Sequence, residues 1–185
     1  MFIQTEQTPN PATLKFIPGQ TVLPDGTVDF RSPDDAAGKS PLAERLFRID
    51  NVEGVFLGPD FIAVTKGAAA EWYLLKPAIL GVIMEHFTAG EAVMNDGATL
   101  ESDEKIEAGD VEIVSQIKEL LDTRVRPAVA QDGGDIVFHA FQEGVVYLHM
   151  RGACSGCPSS TATLKMGIEN MLRHYIPEVM EVRAV

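Results

Sequence analysis

The sequence predicts an α+β fold class: two small α+β domains joined by an acidic flexible linker. Three observations carry this. Strand-like and helix-like segments intermingle along residues 1–87 and again along 111–185, the pattern of sheets with helices packed on them. Residues 88–110 hold seven acidic side chains against one basic, with Gly90, Gly97 and Gly109 interspersed, a composition that solvates instead of packing. The chain has 185 residues, enough for two compact domains.

In the first domain, Phe2-Ile3-Gln4-Thr5 reads as a strand. Thr8-Pro9-Asn10-Pro11 is a turn, because each proline holds the residue before it in extended geometry. Residues 12–17 form the second strand of an opening hairpin. Asp25-Gly26 and Ser32-Pro33-Asp34-Asp35 are further turn signals. Ser40-Pro41 starts a helix: the serine caps free N–H groups and the proline suits the first helical position. Residues 54–57 and 61–65 form a second hairpin around Gly58-Pro59-Asp60. A helix over 70–87 closes the domain, with Pro77 expected to kink it. The whole reads as a mixed sheet with two helices.

In the second domain, Val114, Ile117, Leu121, Val125 and Ala128 recur at helical spacing. Gln131-Asp132-Gly133-Gly134-Asp135 ends that helix, since glycine takes left-handed geometry cheaply. Residues 136–141 and 145–150 flank Gln142-Glu143-Gly144, a hairpin signal. Arg151-Gly152-Ala153-Cys154-Ser155-Gly156-Cys157-Pro158 is a tight loop. A helix over 159–175 follows, with Leu164, Ile168, Met171, Leu172 and Tyr175 as its buried stripe. Pro177 stops it, and residues 179–182 add a last strand.

Composition narrows the function. Hydrophobic residues make up 45% and charged residues 23%, the balance of a globular protein. The net charge of −12 disfavours nucleic acid and anionic membrane surfaces as partners. No apolar run is long enough to span a membrane. The opening residues lack a secretory or transit pattern, so the expected location is cytoplasmic in a bacterium, or the mitochondrial matrix for a processed eukaryotic form.

The chain has two cysteines, Cys154 and Cys157. Such a close pair points to metal binding or thiol redox chemistry and not to a disulfide scaffold. The loop places it between a strand and a helix N-terminus, where free N–H groups and the helix dipole favour thiolates. Arg151 adds positive charge, and Ser155, Ser159 and Ser160 are candidate donors to sulfur. Iron–sulfur clusters and structural zinc commonly take four ligands. One chain offers two thiolates, and His86, His139, His149 and His174 do not complete the set. Two chains would supply four cysteines about a two-fold axis. Dithiol oxidoreductase chemistry and a zinc-stabilised interaction module are the alternatives. Asp132-Gly133-Gly134-Asp135 reads as a helix cap and turn before it reads as a carboxylate metal site. Trp72, Tyr73 and Phe87 read as core before docking face. No phosphate loop, nucleophile elbow or H-E-x-x-H motif is present.

Several segments carry a family resemblance. Arg126-Pro127-Ala128, Asp132-Gly133-Gly134-Asp135 and Gly152-Ala153-Cys154-Ser155-Gly156-Cys157-Pro158-Ser159-Ser160, followed by Thr163-Leu164-Lys165, resemble the C-terminal domain of NifU-like, Nfu-type iron–sulfur proteins. Gln4-Thr5-Glu6, Thr8-Pro9-Asn10-Pro11, Leu14-Lys15-Phe16, Ser40-Pro41-Leu42-Ala43 and Glu71-Trp72 resemble the Nfu N-terminal domain. The resemblance implies domains at 1–87 and 111–185 with a linker at 88–110. It implies a scaffold or carrier, not an enzyme, holding a 4Fe–4S cluster between two subunits. Cys154 and Cys157 would be the ligands. The implied partners are apo iron–sulfur recipient proteins, upstream cluster-assembly proteins and a second copy of the chain.

Overall fold

The computed structural model describes residues 2–96, 111–154 and 158–185, with side chains from 161 onward in the last stretch. The chain divides into two compact units, 1–100 and 101–185. Each has its own hydrophobic core. Among the described residues no helix is long and apolar enough to cross a membrane.

The first unit is a five-stranded sheet in the order β1-β2-β5-β4-β3. Its strands are β1 (Gln4–Gln7), β2 (Thr13–Ile17), β3 (Val28–Phe30), β4 (Val52–Leu57) and β5 (Ile62–Lys66). All its pairings are antiparallel, so the expectation of a mixed sheet is corrected. Asn10 builds the first turn: its side chain accepts from the Ala12 amide at 3.0 Å, and its carbonyl accepts from the Thr13 amide at 3.0 Å. That turn sets Gln4 opposite Ile17 and shifts β1 two residues beyond the expected 2–5.

Ser32-Pro33 opens a short helix, α1 (Pro33–Ala36), and not a bare turn, because Ser32 caps the Asp35 amide. Ser40 caps α2 (Pro41–Phe47) at the Ala43 amide, 3.1 Å away. α3 (Trp72–Thr88) runs as one helix through Pro77. Leu42, Leu46, Ile79 and Ile83 pack these helices into the core with Phe16, Val55 and Val64.

Residues 89–96, at the start of the segment read as a tether, are held on this unit. Ser40 Oγ donates to the Val93 carbonyl at 2.7 Å, and the Asn95 amide donates to the Lys39 carbonyl at 2.7 Å. Val93 and Met94 pack against the core. The rest of the segment read as a linker, 97–110, lies outside the described residues.

The second unit is a three-stranded sheet, β6-β7-β8, made by β6 (Gly134–Gln142), β7 (Val145–Gly152) and β8 (Glu181–Ala184). β6 and β7 form the expected hairpin. Glu143 and Gly144 both take positive φ, +50° and +79°, as a two-residue turn matched to sheet twist requires. β8 pairs parallel with β7, with Glu181 opposite Val145. The Gly144 carbonyl fixes that register by accepting from Met180 at 2.7 Å. The last strand therefore begins two residues beyond the expected 179.

The helix before the hairpin has three parts: α4 (Val111–Leu120), a π-helical turn (Leu121–Val125) and α5 (Arg126–Gln131). Pro127 has no N–H to donate to the preceding turn, and the Arg126 amide reaches five residues back to the Leu121 carbonyl. The wider turn changes the helical phase. Val129 is buried where Ala128 was expected, and Ala128 is exposed. The final helix, α6 (Pro158–Tyr175), buries Ile168 and Leu172 and packs Leu164 and Met171 at the core edge. Tyr175 is 48% exposed, so it leaves the expected stripe. It is the last residue of the helix, two before the stop at Pro177, and it turns outward beside His174.

Candidate functional site

Cys154 lies two residues beyond the end of β7 and is 8% exposed, within the hydrophobic cluster of the second unit. Three neighbours seat it. The Ala153 amide donates to the Gly133 carbonyl at 3.1 Å. Thr161 Oγ1, in the first turns of α6, donates to the Cys154 carbonyl at 3.0 Å. Gly134 gives the sulfur its room: a Cβ there would stand 2.5 Å from Cys154 Sγ and 3.0 Å from the Arg151 carbonyl. Cys157 lies outside the described residues, immediately before α6 in the chain. So do Ser155 and the side chains of Ser159 and Ser160.

The Asp132-Gly133-Gly134-Asp135 segment is a helix cap and turn, as read, and it is also the wall against which the cysteine sits. Asp132 caps α5, and Gly133 takes φ +78°, a left-handed conformation that glycine alone adopts freely. Asp135 is 3% exposed. Its carboxylate accepts two bonds from Arg126, at 2.9 Å each, in a fork-to-fork pair. Its Oδ1 also accepts from the Ile136 amide at 2.8 Å. Arg126 reaches back one turn to Asp122 at 3.0 Å. The pair ties the end of the π turn to the start of β6, and the Gly133-Gly134 turn hangs between them.

The electrostatics differ from expectation. Burial, with the carboxylates of Asp132 and Asp135 acting in the same direction, pushes the Cys154 thiol up to about 11. Arg151 belongs to the half-exposed phase of β7, and Met150 and Gly152 to its buried phase. Without a bound group, Cys154 is therefore a thiol at neutral pH. The Asp135 charge holds the Arg126 guanidinium above its usual range.

The other candidates separate from the cysteine. His139 sits at a bulge in β6 and meets His149 of β7, Nδ1 to Nε2, at 3.0 Å. His86 is buried in the first unit, its Nε2 against the Ala92 carbonyl at 3.0 Å. Trp72 is tied down by donating to the Pro11 carbonyl at 3.0 Å, whereas Tyr73 is exposed. Among the described residues, no three His, Cys, Asp or Glu side chains converge as metal ligands.

A family model described as the scaffold protein Nfu/NifU N-terminal matches residues 3–90, and the NifU-like domain model matches residues 117–183. A human protein named NFU1 iron-sulfur cluster scaffold homolog, mitochondrial, is 52% identical over all of this chain and 72% of its own length. The chain belongs to the Nfu family. Its counterpart of the same name from Drosophila sechellia is 54% identical, and the chain spans 65% of that relative's length. A solution structure of a NifU-like protein from Saccharomyces cerevisiae matches 52% of this chain and 86% of its own at 26% identity and TM-score 0.47.

In this Nfu chain Cys154, Gly134, Arg126 and Thr161 all fall inside the NifU-like match. Sequence reading missed the roles of the last three. Arg126-Pro127 and the double glycine were visible as motifs, but only as resemblance and as a turn. Their link to the sulfur depends on two returns of the chain, Arg126 to Asp135 and Gly134 to Cys154, that no local pattern displays.

Proposed function

We propose that the chain is an iron–sulfur cluster carrier that holds a 4Fe–4S cluster between two copies, through Cys154 and Cys157 of each, and delivers it to apo-proteins. The cluster is cargo, and no small substrate is turned over. One observation carries the reading. The only two cysteines of an Nfu-family chain both lie within the four residues before α6, and one of them is seated on a glycine turn braced by the Arg126–Asp135 ion pair. Two thiolates per chain leave a cluster needing four ligands to find the others on a second copy.

The raised thiol suits delivery. When a recipient thiol replaces Cys154, an iron–sulfur bond to the recipient forms and the bond to Cys154 breaks. The proton leaving the recipient thiol ends on Cys154, which in the empty protein holds a proton up to about pH 11. No electron moves. The same property counts against Cys154 as the attacking group of a dithiol oxidoreductase, which needs a thiolate near neutral pH. Recipients are apo iron–sulfur proteins, with upstream assembly proteins as donors, and the first domain selects among them. The mitochondrial names of the relatives fit the matrix location of a processed form better than a bacterial cytoplasm.

Anaerobic reconstitution with iron and sulfide tests this. A brown species that passes its chromophore to an apo-enzyme supports the carrier. A colourless zinc-bound protein, or a metal-free protein that reduces disulfides, replaces it. Transfer tested with and without residues 1–87 tests the role of the first domain. Equal rates to every recipient would remove that role.

A further inference from the structure

The exposed face of α6 is free of carboxylates in a chain whose net charge is −12. The helix has one acidic residue, Glu169. Its Oε2 accepts from the Val182 amide at 3.1 Å, and its Oε1 lies 3.9 Å from Arg173. The outward positions nearest the cysteine end are Ala162, Thr163, Met166, Gly167 and Asn170. Met166 is 66% exposed, and nothing lies within 4 Å of where a Gly167 side chain would project. Elsewhere two such acidic chains repel each other.

We propose that this face, from Ala162 to Asn170, is where the second copy seats when the two chains share a cluster. The proposal rests on the shared-cluster reading above. Its geometry follows from chain continuity. Cys157 directly precedes α6, and the Cys154 carbonyl is bonded from Thr161 inside α6. A group held by both sulfurs therefore lies against the first turns of this helix. The partner's sulfurs bind the same group from its other side, so the first turns of both α6 helices lie within a cluster's breadth of each other. The residues next along that face, small or flexible and without negative charge, become the contact. Met166 supplies apolar area that adapts in shape, and Gly167 and Ala162 admit close approach.

Sedimentation of the reconstituted full-length protein, followed in the visible band of the cluster, tests it with Met166→Glu, Gly167→Glu and Leu74→Glu. The two α6 variants set like charges against each other across the two-fold, which is expected to weaken dimerisation at least roughly tenfold. Gly167→Glu is informative because it replaces a poor helix former with a good one. Its empty monomer should melt no lower than wild type, while its loaded dimer dissociates more readily. Leu74→Glu, on an exposed position of the first unit, should sediment as wild type. Both α6 variants dimerising like wild type around a full cluster would overturn the surface and leave the carrier reading standing. All three variants failing equally would overturn it as a general charge effect. A wild-type protein carrying a full cluster as a monomer would overturn the shared-cluster reading and this surface with it.

Discussion

Gly134 and Cys154 occupy one packing site: the glycine lacks the atom that would stand 2.5 Å from the cysteine sulfur. Gly134→Ala must push the sulfur away or reopen the start of the β6–β7 hairpin, where Gly134 pairs with Gly152. The expected cost is about 1–3 kcal/mol of stability, with cluster uptake lost even where the domain still folds. Denaturant unfolding and the reconstituted visible spectrum measure the two effects separately. An alanine variant that loads normally would mean the sulfur leaves this seat when it binds.

The Arg126–Asp135 pair braces that seat. Removing the guanidinium leaves a carboxylate whose side chain is only 4% exposed without its partner. Arg126→Ala should cost about 3 kcal/mol. Arg126→Lys keeps the charge but not the two-pronged geometry, and should cost about 1 kcal/mol. A double-mutant cycle with Asp135→Asn reads the coupling. A coupling near zero would mean that the turn stands without the pair.

The state of Cys154 has a pH signature. A thiol raised to about 11 by burial keeps its proton where an ordinary cysteine has lost much of it. In Cys157→Ser, alkylation of Cys154 near pH 8.5 should run about two orders of magnitude slower than that of a free thiol. The linkage sign follows. The folded thiol holds its proton more tightly than the unfolded one, so this contribution to stability is intact below about pH 9 and is lost as the pH rises toward 11. Binding displaces the proton, so cluster affinity should increase with pH over the neutral to mildly alkaline range. Alkylation at the free-thiol rate would show the sulfur exposed.

His86 gives the opposite signature in the first unit. Burial lowers its pKa, and Arg45 lowers it further, against the raising effect of the Ala92 carbonyl and Glu91. The fold thus favours neutral imidazole, and its stability falls as pH drops below about 6.5, where the unfolded chain takes up the proton. His86→Gln should flatten the dependence of the thermal midpoint between about pH 7.5 and 5.5. An unchanged slope would place the titration elsewhere.

Local chemistry made much of this fold readable. Ser40-Pro41 and Glu143-Gly144 each announce a helix start and a hairpin by a residue pair with a single structural use. β3 has only three residues between the turn signals at Asp25-Gly26 and Ser32-Pro33, too few for an alternation to show, and it forms because β4 offers an edge. The π turn follows from Pro127, yet its shift of burial from Ala128 to Val129 appears only when the helix is laid against the sheet. The site divides in the same way. The cysteine pair and its ligand shortage are legible in spacing. The burial of Cys154, and the nearness of the Asp132 and Asp135 carboxylates that add to its effect, depend on where the chain returns in space.

The central claim is that one cluster is held by Cys154 and Cys157 from each of two chains. Anaerobic native mass spectrometry of the reconstituted protein tests it most directly. The expected species is two chains with about four irons and four sulfides, absent in both Cys154→Ala and Cys157→Ala. A single chain carrying the full cluster, or either alanine variant retaining it, would contradict the account.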